Sequence, residues 1–80
     1  KLIMSIQIKF FGQLADAVGV PQLNISDISD IESLKRRILN DYPRLKKHQF
    51  MVVMSKQVIN ENINLRNGDV VELLPPFSGG

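Results

Sequence analysis

No cysteine occurs in these 80 residues. That excludes disulfides, thiolate metal sites and a cysteine nucleophile, and it fits a reducing, cytoplasmic setting. Histidine is nearly as scarce: His48 stands alone, after Lys46-Lys47 in an expected loop. One imidazole and no thiolate leave only scattered carboxylates, so no metal is expected. A loop imidazole with nothing to orient it reads as a solvated surface residue rather than a base. No apolar run approaches the ~20 residues of a membrane span. Lys1-Leu2-Ile3-Met4 is too short and too strand-like for a signal peptide, and Met4-Ser5 is a candidate native start. An excess of one charge is also missing, the formal net charge being only +2. Lys35, Arg36, Arg37, Arg44, Lys46 and Lys47 hold most of the basic residues, without interleaved aromatics or a nucleic-acid motif. They read as a solvated face, with a docking surface for an acidic partner as the alternative. Asp16, Asp30, Glu32 and Asp41 form no evident catalytic pair.

What is present suits one small globular domain, with 44% apolar and 22% charged residues. A chain of this length has one core and no second layer. Met4, Ile6, Ile8 and Phe10 alternate with polar residues, the period of a half-buried strand. After Phe11-Gly12, the segment Gln13 to Val18 predicts a short helix closed by Gly19. Pro21 to Ile25 alternates again as a second strand. Ser29-x-x-Glu32 fits a capping box, with Ser29 as N-cap and Glu32 at the third helical position. Ile31, Leu34, Ile38, Leu39 and Tyr42 then form one apolar stripe. Pro43 ends that helix near Asp41. Arg44 to Gln49 reads as a basic loop, Phe50 to Met54 as a strand, Val58-Ile59 as a short fourth strand and Val70 to Leu74 as the last. Between them, Asn67-Gly68 can supply positive φ in a turn. The order predicts an α+β fold: a mixed sheet of four to five strands, one main helix on one face and a short helix after the first strand.

The last strand runs into Pro75-Pro76-Phe77-Ser78-Gly79-Gly80. Two prolines cannot continue a ladder, so the chain is expected to leave the sheet at Pro75 along an extended path. Six residues reach about 20 Å. Residues 1–74 would then be the domain and 75–80 a tail. A diglycine end enters a channel that any Cβ would block, and what it delivers is the carboxylate of Gly80. A frayed terminus is the plainer reading. Phe77 reads as an anchor for a partner's pocket or as packed back on Phe11 or Leu74. Ser78, without a positioned base, reads as a small residue that fits the channel rather than a nucleophile. Val70 and Leu74 face away from Val71 and Leu73 and would form an exposed apolar patch near the tail. Phe50 to Met54 would extend it, Met51 and Met54 suiting an adaptable contact.

These residues resemble a family. The element order is similar to the ubiquitin-like β-grasp fold, and Leu65-x-Asn67-Gly68-Asp69-x-Val71 looks like the turn leading into that fold's last strand. Ile8-Lys9-Phe10-Phe11-Gly12-Gln13-Leu14-Ala15-Asp16 and the ending Leu73-Leu74-Pro75-Pro76-Phe77-Ser78-Gly79-Gly80 look like the small, sulfur-carrying subunits of molybdopterin synthases. The resemblance implies that Gly80, preceded by Gly79, is adenylated with ATP by an E1-like activating enzyme and converted to a thiocarboxylate. It further implies a large synthase subunit that binds Leu74 to Ser78 and supplies the catalytic groups, in a heterotetramer with two small subunits. No cofactor would be bound by the carrier, and neither nucleic acid nor membrane is an expected partner. A sulfur carrier for thiazole synthesis, a ubiquitin-like protein modifier and a plain β-grasp binding module remain as alternatives.

Overall fold

Alternation in the N-terminal segment produces β1 (Ser5–Phe10). Ile6 and Ile8 are wholly buried and Phe10 nearly so, while Ser5, Gln7 and Lys9 point to the other face. In this computed structural model, which describes residues 4–76, the chain continues through α1 (Gln13–Val18), β2 (Gln22–Ser26), α2 (Ile31–Asp41), a 3-10 turn (Pro43–Lys47), β3 (Met51–Met54), β4 (Gln57–Val58) and β5 (Val70–Leu74). The strands form one five-stranded mixed sheet in the order β2-β1-β5-β3-β4. β1 and β5 lie side by side and parallel at its centre, with Ile8 opposite Val71 and Phe10 opposite Leu73. The neighbouring pairs, β1–β2 and β3–β5, are antiparallel. This is the ubiquitin-like β-grasp arrangement expected from the order of elements.

The core lies between the sheet and α2. Ile31, Leu34 and Ile38 of α2 are buried with Ile6, Ile8, Val71 and Leu73 of the two central strands. Leu39 and Tyr42 complete the stripe as half-buried flanks. Tyr42 N–H still donates to the Ile38 carbonyl at 2.8 Å, after which Pro43 prevents another helical turn.

Several local expectations are corrected. The N-cap of α2 is Asp30, one residue later than Ser29. Asp30 has extended backbone (φ −152°) and its Oδ1 accepts from Ser33 N–H at 2.9 Å. The Ser29 carbonyl accepts instead from Leu65 N–H at 2.8 Å, so Ser29 is held in a bridge to the loop before β5. Glu32 therefore falls one position early for a capping box, and its N–H donates to Asn62 Oδ1 at 2.9 Å. Hydrogen bonds from Ser33, side chain first and then backbone, and from Asn62 hold the Asp30 carboxyl below its ordinary value.

The expected basic loop is largely the 3-10 turn, fastened by Leu45, which is fully buried. His48, at its end, is half-buried rather than fully solvated. β3 begins at Met51, leaving Phe50 packed against the core, and β4 is shifted one residue earlier to Gln57–Val58. In the turn before β5 only Gly68 has positive φ (88°). Asn67 acts through its side chain, whose Oδ1 accepts from Ser5 N–H at 2.8 Å. The β3–β4 hairpin turns through Ser55 and Lys56, both with positive φ, without the glycine such turns usually carry.

Candidate functional site

The end of β5 is held by its neighbours up to the residue where the chain leaves the sheet. Leu73 is buried and its carbonyl accepts from Phe11 N–H at 3.1 Å, extending the parallel seam one bond beyond β1. Directly afterwards the chain turns at Gly12, with φ 59° and ψ −138°, a conformation for which glycine is suited. Pro75 lies over this glycine. A Cβ added to Gly12 would come within 3.2 Å of Pro75 Cγ. The absence of a side chain at Gly12 thus leaves room for the proline that opens the tail. Pro75 is half-buried in this seat and Pro76 is exposed. Phe77, Ser78, Gly79 and Gly80 lie outside the described residues, and with them the two readings of Phe77.

Around this root the sheet presents its uncovered face. Val70 is 37% exposed and Leu74 half-buried, opposite in direction to Val71 and Leu73, as the alternation predicts. Cross-strand register places Met51 beside Leu74, and Val53 beside Glu72. Lys9 lies on the other side of Glu72, and Gln7 beside Val70. The result is an apolar strip on β3 and β5 flanked by polar groups on β1. Met54 does not contribute as expected: β3 alternates, and Met54 packs toward the core. Phe11, 40% exposed beside the tail root, was assigned no such role on sequence grounds except as a packing partner for Phe77.

Reactive groups are sparse at this site. Among the described residues no cluster of three or more His, Asp or Glu side chains is arranged to hold a metal ion. No helix among them is long and apolar enough to cross a membrane. Asp16 is exposed on α1 and Asp41 is paired with Arg37 at 2.9 Å. Asp30 and Glu32 lie at the start of α2, away from the tail root, in structural roles. The seat formed by Gly12 and Pro75 was not anticipated. Its sequence signal was weak: a glycine directly after a strand and a proline directly after its future neighbour.

The ThiS family model matches residues 8–80. A Caenorhabditis elegans molybdopterin synthase sulfur carrier subunit is 27% identical over 98% of this chain and 100% of its own length. Among solved structures, the Helicobacter pylori complex of subunits 1 and 2 of molybdopterin-converting factor contains a chain 30% identical to this one. The match covers 96% of this chain and 100% of that one, with a TM-score of 0.71. The small archaeal modifier protein 1 of Methanosarcina acetivorans has a TM-score of 0.78 with full coverage of both chains, and at 22% identity this likeness concerns the fold alone. With a β-grasp fold, a seated tail root and a match that runs from β1 through Gly80, this chain belongs to the ThiS family.

Proposed function

We propose that this protein is the sulfur carrier subunit of a molybdopterin synthase, and that its working group is the carboxylate of Gly80. The observation that carries the reading is the tail root: β5 is followed directly by Pro75, seated on Gly12, and then in sequence by Pro76, Phe77, Ser78 and two glycines. The relatives named as sulfur carrier or converting-factor subunits share this chain over nearly its whole length, which supports the same assignment.

The chemistry follows from the weakness of a carboxylate as an electrophile. A Gly80 carboxylate oxygen attacks the α-phosphorus of ATP on an E1-like activating enzyme, and pyrophosphate leaves. A sulfur nucleophile then attacks the acyl carbon and AMP departs, leaving a thiocarboxylate. On the large synthase subunit the thiocarboxylate sulfur bonds to a carbon of the pyranopterin precursor as that carbon's bond to oxygen breaks and the oxygen departs. Hydrolysis of the remaining acyl–sulfur bond returns the Gly80 carboxylate. Two such transfers build one dithiolene, which suits an assembly with two carriers. Glycine at the acyl position leaves the attack path unhindered. The carrier's part is presentation, and proton transfers belong to its partners. The apolar strip of Met51, Val53, Val70 and Leu74 beside the root would be covered by the large subunit, with Phe77 as an anchor.

The test is the intact mass of the protein after incubation with ATP, a sulfide source and the activating enzyme of its own organism. The expected result is replacement of one oxygen by sulfur at Gly80, followed by molybdopterin formation when the large subunit and precursor are added. An unchanged mass beside an active enzyme would reject the reading. A product joined to lysines of other proteins would favour the modifier, and sulfur delivery only into thiazole would favour the thiamine pathway.

A further inference from the structure

Among the described residues, carboxylates outnumber cations at one end of the molecule. That end gathers the start of β1, the end of β2, the start of α2 and the loop before β5. Asp27 N–H donates to Met4 O at 3.3 Å, Leu65 N–H to Ser29 O at 2.8 Å and Gly68 N–H to Ser5 O at 2.9 Å. Asp27, Asp30, Glu32, Glu61 and Asp69 all lie there by position in the chain, against Arg66 and Lys56. Acidic residues at the start of α2 suit the helix dipole and need no further role.

The opposite end carries the tail root. β1 and β5 both run toward it, and α1 starts there, directly after Gly12. The 3-10 turn belongs to this end as well, because Ala17 and Val18 of α1 line one hollow with Tyr42, Pro43 and Arg44. Six helical residues span about 9 Å, which is the distance along α1 between Gly12 and this hollow. Arg44, Lys46 and Lys47 are exposed. A 3-10 helix has three residues per turn, which puts Arg44 and Lys47 above one another on the same side. The two ion pairs among the described residues are Lys35–Glu32 and Arg37–Asp41, so these three cations take part in neither. On the elements packed against the turn, Asp41 is engaged by Arg37 and also lines the hollow, Glu32 lies at the far end of α2 beside Lys35, and Asp16 is exposed on α1.

We propose that Arg44, Lys46 and Lys47 form an electrostatic docking surface that guides the tail-bearing end onto an acidic rim of the activating enzyme. The inference rests on the reading above, that a partner receives the tail. Three cations displaced to the tail's end, with carboxylates concentrated at the other, orient the molecule in the field of an acidic partner before contact. Oriented charge of this kind raises association rates and loses its effect as salt increases. The apolar strip on the sheet would then supply short-range contact, and the basic turn the approach.

Stopped-flow association of the full chain with the activating enzyme, ATP and Mg²⁺ tests this. The triple variant Arg44→Glu, Lys46→Glu, Lys47→Glu should associate about tenfold more slowly at low salt. The gap should close at high salt, kcat for adenylation should be unchanged, and circular dichroism should report the native fold. Lys56→Glu at the far end should leave association unaffected. Equal rates for native and triple variant at low salt would overturn the inference while leaving the sulfur-carrier reading intact. Equal slowing by Lys56→Glu would also overturn it, because total charge rather than placed charge would be responsible. Retention of RNA by the native chain but not the triple variant, with association to the enzyme unchanged, would assign the turn to nucleic acid instead. Failure of the native chain to be adenylated at all would remove both readings.

Discussion

At the residue scale, Asp30 shows how one carboxylate fastens two parts of the chain. Its Oδ1 receives the Ser33 N–H at the start of α2, and its Oδ2 receives the Asn62 side-chain amide at 3.2 Å. Asn62 in turn receives the Glu32 N–H, so helix start and loop are capped together. These bonds lower the Asp30 carboxyl from its ordinary 3.8. A group whose folded pKa is depressed stabilises the fold above the unfolded value and loses that contribution as pH falls through the folded one. Asp30→Ala is therefore expected to lower Tm at pH 7, with the difference from the native chain shrinking through the acidic range below 3.8. Asp30→Asn should retain most of the Tm at pH 7, because asparagine also caps well. Thermal melts of the three proteins from neutral to strongly acidic pH check this. A gap that stayed constant with pH would point to lost packing instead of a lost ionised cap.

At the element scale, β1, α1 and β5 meet where Pro75 leaves the sheet. Gly12 has positive φ and Pro75 lies against it. Gly12→Val places a β-branched residue in that conformation, at a cost of about 1–3 kcal/mol. Chemical denaturation should show this loss, and thiocarboxylate formation should slow beyond what the stability change explains. Pro75→Ala in the Gly12→Val background should restore part of the rate by removing the contact, without restoring the backbone strain. An unchanged rate in Gly12→Val would mean that the seat does not direct the tail.

Elements with strong periodicity were legible without coordinates. The alternation of Ile6, Ile8 and Phe10 and the stripe through Ile31, Leu34 and Ile38 report burial directly, and both lie in the core. The short α1 with Gly19 in left-handed conformation (φ 97°) also follows its sequence signal. What was hidden depends on partners distant in sequence. Ser29 and Asp30 are both suitable caps, and what separates them is the set of bonds to the 62–65 loop, with Leu65 N–H on Ser29 O, Ile31 N–H on Ile63 O and the Asn62 amide on Asp30. The 3-10 turn rests on a single buried leucine amid charges, too little for any periodic pattern. Ser55 and Lys56 adopt positive φ because β3 and β4 pair on either side, with Met54 opposite Gln57. At the candidate site, the outward direction of Val70 and Leu74 was readable from alternation. The proximity of Gly12 to Pro75 was not, since it requires knowing that β1 and β5 are parallel neighbours.

At the scale of the whole molecule, stability and presentation are assigned to separate regions. Among the described residues, fourteen buried apolar side chains make up the core, and Leu73 is the last of them in the chain. If the terminus is the delivered group proposed above, deleting Gly80, or adding residues after it, should change stability by no more than about 0.5 kcal/mol. The same variants should yield no thiocarboxylate by intact mass. A truncated protein that melted markedly earlier would show that the terminus belongs to the fold, contrary to its assignment as a delivered group.

The strand that bears the tail is also the middle strand of the sheet, pairing Gln7 with Val70 on one side and Met51 with Leu74 on the other. During synthesis it is the last of the described elements to emerge, so the sheet cannot close until all the others have been made. Half-made chains would have an open gap between β1 and β3. Pairing across such a long sequence separation also slows folding. If the protein is the carrier proposed above, its docking face on β3 and β5 is complete only once the sheet itself has closed.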